Sequence, residues 1–123
     1  MTSAGNLDIN IDQGATFVLP FQLLDLDGNP VSLSLATIAG SIRQIPSSTV
    51  VATFTGTVTG GPDGEGQASL TAVQTAAIPA DPSLPNDRVL TDYMYDIEVT
   101  FSDGTVQRVL QGYAYLSPEV NHA

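Results

Sequence analysis

Between Tyr93 and Phe101 every second residue is large and apolar: Tyr93, Tyr95, Ile97, Val99 and Phe101 alternate with Met94, Asp96, Glu98 and Thr100. A period of two places the first set on one face of a pleated strand and the second on the other. A strand of this kind must press its apolar face against a second layer, which limits the chain to sheet-on-sheet or sheet-on-helix folds. The same period returns elsewhere. Residues 7–12 alternate through Leu7, Ile9 and Ile11, and residues 16–24 put Phe17, Leu19, Phe21 and Leu23 on one face. Pro20 lies on the opposite face of that second strand and removes a ladder donor, so this strand belongs at a sheet edge or a bulge. Residues 36–43 carry Ile38, Gly40 and Ile42 inward, residues 50–59 are rich in Val, Thr and Phe, and residues 67–70 make a short strand. Residues 106–116 close the series, with Leu110, Gly112, Ala114 and Leu116 sharing a face.

Turn chemistry separates these runs at intervals of about ten residues. Asp25, Asp27, Gly28, Asn29 and Pro30 form a dense turn signal, and Asp103 and Gly104 make a hairpin turn. Residues 60–66 are an exposed glycine-rich loop. After residue 70, Thr71 is placed to cap one or two helical turns through Ala77, and Pro79, Pro82 and Pro85 forbid more. Residues 81–90 carry the weakest pattern and read as a surface loop or a contact arm, within a proline-rich stretch at 79–90. The expected fold is all-β: an immunoglobulin-like, two-sheet antiparallel β-sandwich of about seven strands, with one short helix before the penultimate strand. In such a fold Tyr93 or Tyr95 would make the hydrogen bond of a tyrosine corner. The expected organisation is a mobile arm or docking strand at 1–6, one domain at 7–117 and a tail at 118–123.

A chain of 123 residues, 42% of them hydrophobic, hides roughly two-thirds of its surface on folding and builds one core without cross-links. There is no cysteine, so disulfides and thiolate metal sites are excluded. Thirteen acidic residues oppose three arginines, a net charge of −10 that repels phosphate and argues against direct nucleic-acid binding. No run of 18 apolar residues is present, so no membrane insertion is expected, and the N-terminus has neither a basic start nor an apolar segment. Synthesis in a cytoplasm is the expectation.

The chemistry-bearing residues are few. Asp25, Asp27 and Asn29 resemble the opening of a calcium-binding helix–loop–helix, but the twelfth position is Ala36 and the flanks are strands, so the segment reads as a turn with no metal. The single histidine, His122, is one residue from the end and cannot build a transition-metal site. Asp96 and Glu98 share a face, the one opposite Tyr95 and Ile97. A solvated or interface pair is the main reading, because catalysis needs carboxylates converging in a pocket. No Lys or central His activates a nucleophile, and the 60–66 loop lacks the helix and lysine of a phosphate cradle. No catalytic residue and no cofactor is expected. Arg108 shares parity with Leu110 and so is expected to point inward, in a structural ion pair; a local bulge turning it outward is the alternative. Tyr113 and Tyr115 share the other face of their strand and are candidate interface residues, with ordinary cross-strand packing as the competing reading.

Several segments resemble a family of small immunoglobulin-like proteins of tailed bacteriophages. They are Asn6 to Phe17 (NLDINIDQGATF), Asp25 to Leu33 (DLDGNPVSL) with Ile38 through Gln44, Tyr95 to Val99 (YDIEV), Asp103 to Gly112 (DGTVQRVLQG), and the closing Ser117, Pro118, Glu119 and Val120. The first half is also similar to the N-terminal domain of the phage baseplate upper protein, which continues into receptor-holding segments, whereas this chain stops at Ala123. The resemblance covers about residues 6–120. It implies a non-enzymatic virion protein, a non-covalent adaptor joining subunits at the tail baseplate or tail fibre, in multiple symmetric copies. Its partners would be other virion proteins: baseplate, fibre or capsid subunits. Capsid decoration is one alternative within that class, and a surface-displayed adhesin or carbohydrate-binding module is another outside it.

Overall fold

Each alternating run becomes a strand in the computed structural model, which describes residues 5–45, 47–79 and 91–117. In chain order the strands are β1 (Gly5–Asn6), β2 (Ile9–Asp12), β3 (Phe17–Gln22), β4 (Thr37–Arg43), β5 (Val50–Thr53), β6 (Thr55–Gly60), β7 (Glu65–Leu70), β8 (Thr91–Thr100) and β9 (Val106–Ser117). A short helix, α1 (Ala72–Ala76), separates β7 from β8. The larger sheet has the order β1-β9-β8-β4-β5, with β2 also on β9, and the smaller has the order β3-β7-β6. These are the strand neighbours of an immunoglobulin-like sandwich, a three-stranded B-E-D sheet facing a G-F-C sheet extended by one further strand. The nine segments trace seven runs, because β1 and β2 are one interrupted strand and β5 and β6 are one bent strand. Pro20 lies on β3, an edge strand, where a missing donor is tolerated.

The inward set of β8 supplies the centre of the core: Tyr93, Tyr95, Ile97 and Val99 are all buried, against Leu19, Leu70, Ile38 and Ile42. Phe54 ties the layers together. Its ring lies 6.2 Å from Phe17 of the smaller sheet and 6.3 Å, edge-on, from Tyr95 of the larger. Below the sheets Thr71 caps α1 with a full capping box: its Oγ1 accepts from Gln74 N at 3.1 Å, and its own N donates to Gln74 Oε1 at 2.8 Å. The buried Thr75 hydroxyl donates to the Ala15 carbonyl (2.8 Å) and accepts from Gly14 N (3.0 Å), fixing the β2–β3 turn to the helix. Tyr93 donates its hydroxyl hydrogen bond to the Pro79 carbonyl just past α1, so Tyr93 is the tyrosine that ties the crossover down.

The sandwich departs from the sequence reading at both lateral sides. Residues 50–59 do not stay in one sheet. β5 pairs with β4 through Thr53 opposite Ser41, and Phe54 N still donates to Gly40 O, but from Thr55 onward the strand pairs with β7. It nevertheless keeps running beside β4. A Cβ on Gly56 would lie 2.0 Å from the Ile38 carbonyl, and Leu33 N donates to Gly61 O at 2.7 Å. One strand thereby belongs to both sheets and closes that side. Gly56 permits it, since any side chain there would strike the β4 backbone.

On the other side the sheet begins earlier than residue 7. Gly5 and Asn6 pair in parallel with Leu110 and Gln111, and Ile9 to Asp12 continue in parallel register along Ala114 to Ser117. The parallel pairing has no signature in the alternation, which is the same for either strand direction. Residues 1–4, 80–90 and 118–123 lie outside the described residues, and with them most of the proposed arm, loop and tail. Gly56→Ala is expected to destabilise the domain by about 1–3 kcal/mol through overpacking, measured by urea unfolding, while Thr57→Ala on the exposed side of β6 changes it by less than about 0.5 kcal/mol.

Candidate functional site

The outward residues of β8, β4 and β9 form a face that no described element covers. Register aligns them in rungs. Arg43, Met94 and Tyr113 make one rung, Ser41, Asp96 and Gln111 the next, and Ala39, Glu98 and Arg108 the third. The face holds an open depression of about 690 Å³ whose lining includes Arg43, Ile45, Met94, Asp96, Arg108 and Tyr113.

Arg108 is the main correction to the sequence reading. Strict alternation from Leu110 points it inward, yet its side chain is 51% exposed. The cause is a one-residue bulge: Ile97 pairs with Leu110 but Glu98 pairs with Arg108, so Val109 is extra and buried, and the strand changes parity there. The bulge sends the guanidinium to water. Arg108 Nε lies 3.4 Å from Asp96 Oδ2, and Nη1 donates to Gln111 Oε1 at 3.3 Å. Gln111 Nε2 in turn donates to Asn6 Oδ1 at 3.3 Å, so a polar chain crosses β8, β9 and β1. The signal was present in the sequence as two adjacent apolar residues, Val109 and Leu110, which break the period of two.

Tyr113 and Tyr115 also face outward. Their rings are near-parallel (20°) with centroids 6.0 Å apart, and Tyr113 is 50% exposed. One face of Tyr113 rests on Tyr115 while the residue borders the depression. Burial first, then the Asp8 and Asp92 carboxylates and neighbouring Tyr113, push the Tyr115 phenol above its ordinary range. Asp8 also accepts from Tyr113 N at 3.0 Å, standing in for a backbone carbonyl where the N-terminal strand is interrupted.

That interruption shapes the rim of the face. The Leu7 carbonyl turns away from β9 and accepts from the Tyr95 hydroxyl. A Cβ on Gly112, the cross-strand partner of Tyr95, would lie 2.3 Å from that carbonyl, so only glycine admits this path. Burial, with the Asp8 charge second, pushes the Tyr95 phenol up from 10.0 to about 12.

Asp96 and Glu98 sit on the same face, as expected, but do not converge. Asp96 is engaged by Arg108, and no described group pairs with Glu98. The Asp25 turn is closed on itself, its Oδ1 accepting from Asp27 N and Asn29 N, each at 2.9 Å. Among the described residues no group of three or more metal-ligating side chains is assembled. Arg43, Met94 and Gln111 are the members of the face that sequence reasoning did not single out, since only cross-strand register brings them beside Tyr113 and Asp96.

No family model matches the chain, and no curated protein matches it. Among solved structures it is similar to CopC from Methylosinus trichosporium OB3b, at a TM-score of 0.42 and 14% identity, covering 99% of this chain and 91% of that one. A likeness at that distance carries no argument about function.

Tyr95 gives a pH test. Its folded pKa lies above the unfolded value, so its hydrogen bond to Leu7 contributes fully below pH 10.0 and is lost as pH climbs through about 12. Alkaline unfolding of the native chain is expected to lose stability across that window, and Tyr95→Phe is expected to remove a phenol that titrates near 12 from the absorbance curve. Arg108→Ala is expected to cost less than about 1 kcal/mol in urea unfolding, because its ion pair is solvent-exposed.

Proposed function

We propose that the chain is a non-enzymatic structural protein of a tailed-phage virion, an adaptor that joins subunits at the tail baseplate or fibre. Its docking surface is the outer face of the larger sheet. The observation that carries this reading is the half-exposed Tyr113, stacked on Tyr115 and bordering an open depression with Arg43, Met94 and Arg108. Tyr, Met and Arg are the residue types enriched at protein interfaces, and Tyr and Arg dominate their binding energy. Support for the virion setting comes from the sequence resemblance over residues 6–120. A rigid sandwich suits the role, since register fixes the positions of the contact side chains and leaves little to order on docking.

Two neighbouring readings are separable. A capsid decoration protein would use the same face on a different part of the particle. A carbohydrate-binding module would stack a sugar on Tyr113 beside the Gln111 and Asn6 amides.

Mass spectrometry of purified virions, with and without detached tails, tests the proposal. The protein is expected in intact virions and in the tail fraction. Recovery with tail-free heads identifies capsid decoration instead, and absence from both preparations overturns the virion assignment. No rise in melting temperature is expected with mono- or oligosaccharides; a saturable rise would favour the carbohydrate reading.

A further inference from the structure

The loops at one end of the sandwich carry a pattern that folding does not explain. In the smaller sheet Gln22, at the end of β3, pairs with Glu65, at the start of β7. In the larger sheet Thr37, at the start of β4, pairs with Thr100, which is also opposite Val106. Leu33 N donates to Gly61 O at 2.7 Å and ties the loops of the two sheets together. The connection from β3 to β4, the 61–65 turn and the 101–105 hairpin therefore share one end.

Two leucines at this end stand in water. Leu26 is 81% exposed and Leu35 87%, the highest values among the large apolar side chains of the described residues. Leu26 lies in the turn that the Asp25 carboxylate closes, so its position is held by hydrogen bonds that its own side chain does not make. Leu35 lies in a tight turn closed by Ala36 N donating to Leu33 O at 3.0 Å, and its φ is +63°. Glycine or asparagine adopts that left-handed backbone with less strain. A leucine there opposes folding and buries no apolar surface within the domain.

Charge narrows what could cover them. The same loops carry Asp25, Asp27, Asp63, Glu65 and Asp103 and no basic residue, while Arg108, near the start of β9, is engaged by Asp96 on the outer face. Such an end repels nucleic acid, an anionic membrane and the same end of another copy. It attracts a basic surface, and the leucines add to that attraction only where the surface offers them an apolar recess.

We infer that this loop end is a second docking surface, and that its occupant is a protein face with an apolar recess for Leu26 and Leu35 rimmed by Lys or Arg. The inference rests on the adaptor reading and deepens it: joining two subunits takes two surfaces, and the outer face of the larger sheet supplies only one.

Photo-crosslinking of the full chain in the cells that make it tests this. A benzophenone side chain replaces Ser102, exposed on the 101–105 hairpin, or Val73, 80% exposed on α1 at the opposite end. Sequenced cross-linked peptides from position 102 are expected to come from another protein and to carry net positive charge, with none from position 73. Leu26→Asn and Leu35→Asn are each expected to lower the yield from position 102 by at least about tenfold, as loss of an anchor does. Leu35→Asn is expected to melt at or above the native temperature. Absence of adducts from position 102 overturns the inference, as do acidic partner peptides, peptides of this chain itself, or yields indifferent to both leucines. A lower melting temperature for Leu35→Asn also overturns it, by making Leu35 a folding residue. A basic partner that is not a component of the particle leaves the inference standing and removes the virion reading. A chain present in purified virions without adducts from position 102 does the reverse.

Discussion

An arginine cannot be left without a partner inside a sandwich core, and the outer face of this domain follows from how the chain avoids doing so. Val109 is inserted as one extra residue in β9, and the parity of the strand switches there. Before the bulge Arg108 points outward; after it Gln111, Tyr113 and Tyr115 point outward as well, while Val109, Ala114 and Leu116 go to the core. Without the extra residue, one of the two groups would face the wrong way. Burying an unpaired guanidinium costs several kcal/mol, far more than a bulge does. The polar chain from Asp96 through Arg108 and Gln111 to Asn6 exists because of that single register shift.

The lateral sides of the sandwich explain why a face, and not an edge, is the surface to consider. The bent strand of β5 and β6 runs beside β4 along its length while handing its hydrogen bonds from one sheet to the other, so most of that side has no free edge. The opposite side is held by the N-terminal strand, seated in parallel on β9 and fastened where Tyr95 reaches the Leu7 carbonyl beneath Gly112. Its exposed residues include Asp8 and Asp12, and neighbouring β3 carries Pro20; charge and proline both discourage a further strand from adding. The broad outer surfaces of the two sheets remain. The smaller presents Val18, Gln67, Thr57 and similar small or neutral groups with Glu65 at one end, and the larger presents the aromatic set and both signs of charge.

Much of this architecture was legible in the sequence. The alternation in Tyr93 to Phe101 gave β8 and its inward set, the capping pattern at Thr71 located α1, and Pro20 marked an edge. Tyr113 and Tyr115 were correctly placed together, opposite the core-facing residues of their strand. What escaped was non-local. A period of two says nothing about strand direction, so the parallel seating of β1 and β2 was hidden, and it does not reveal a strand that changes sheets, because residues 50–59 alternate in the same way on both sides of Phe54. Arg108 was misplaced for a related reason: parity was counted from Leu110 across a bulge whose trace was the adjacent pair Val109 and Leu110. Arg43 and Met94 join the candidate site only through cross-strand register, which no single segment encodes.

The central claim is that this protein makes its contacts through the outer face of the six-stranded sheet. Site-specific photo-crosslinking tests it most directly, with a benzophenone side chain placed either at Tyr113 or at Val18, two positions with equal exposure (50%) on the outer faces of the two different sheets. In assembled particles the account predicts cross-linked adducts from position 113 and none from position 18. Adducts from position 18 with none from position 113 would contradict it.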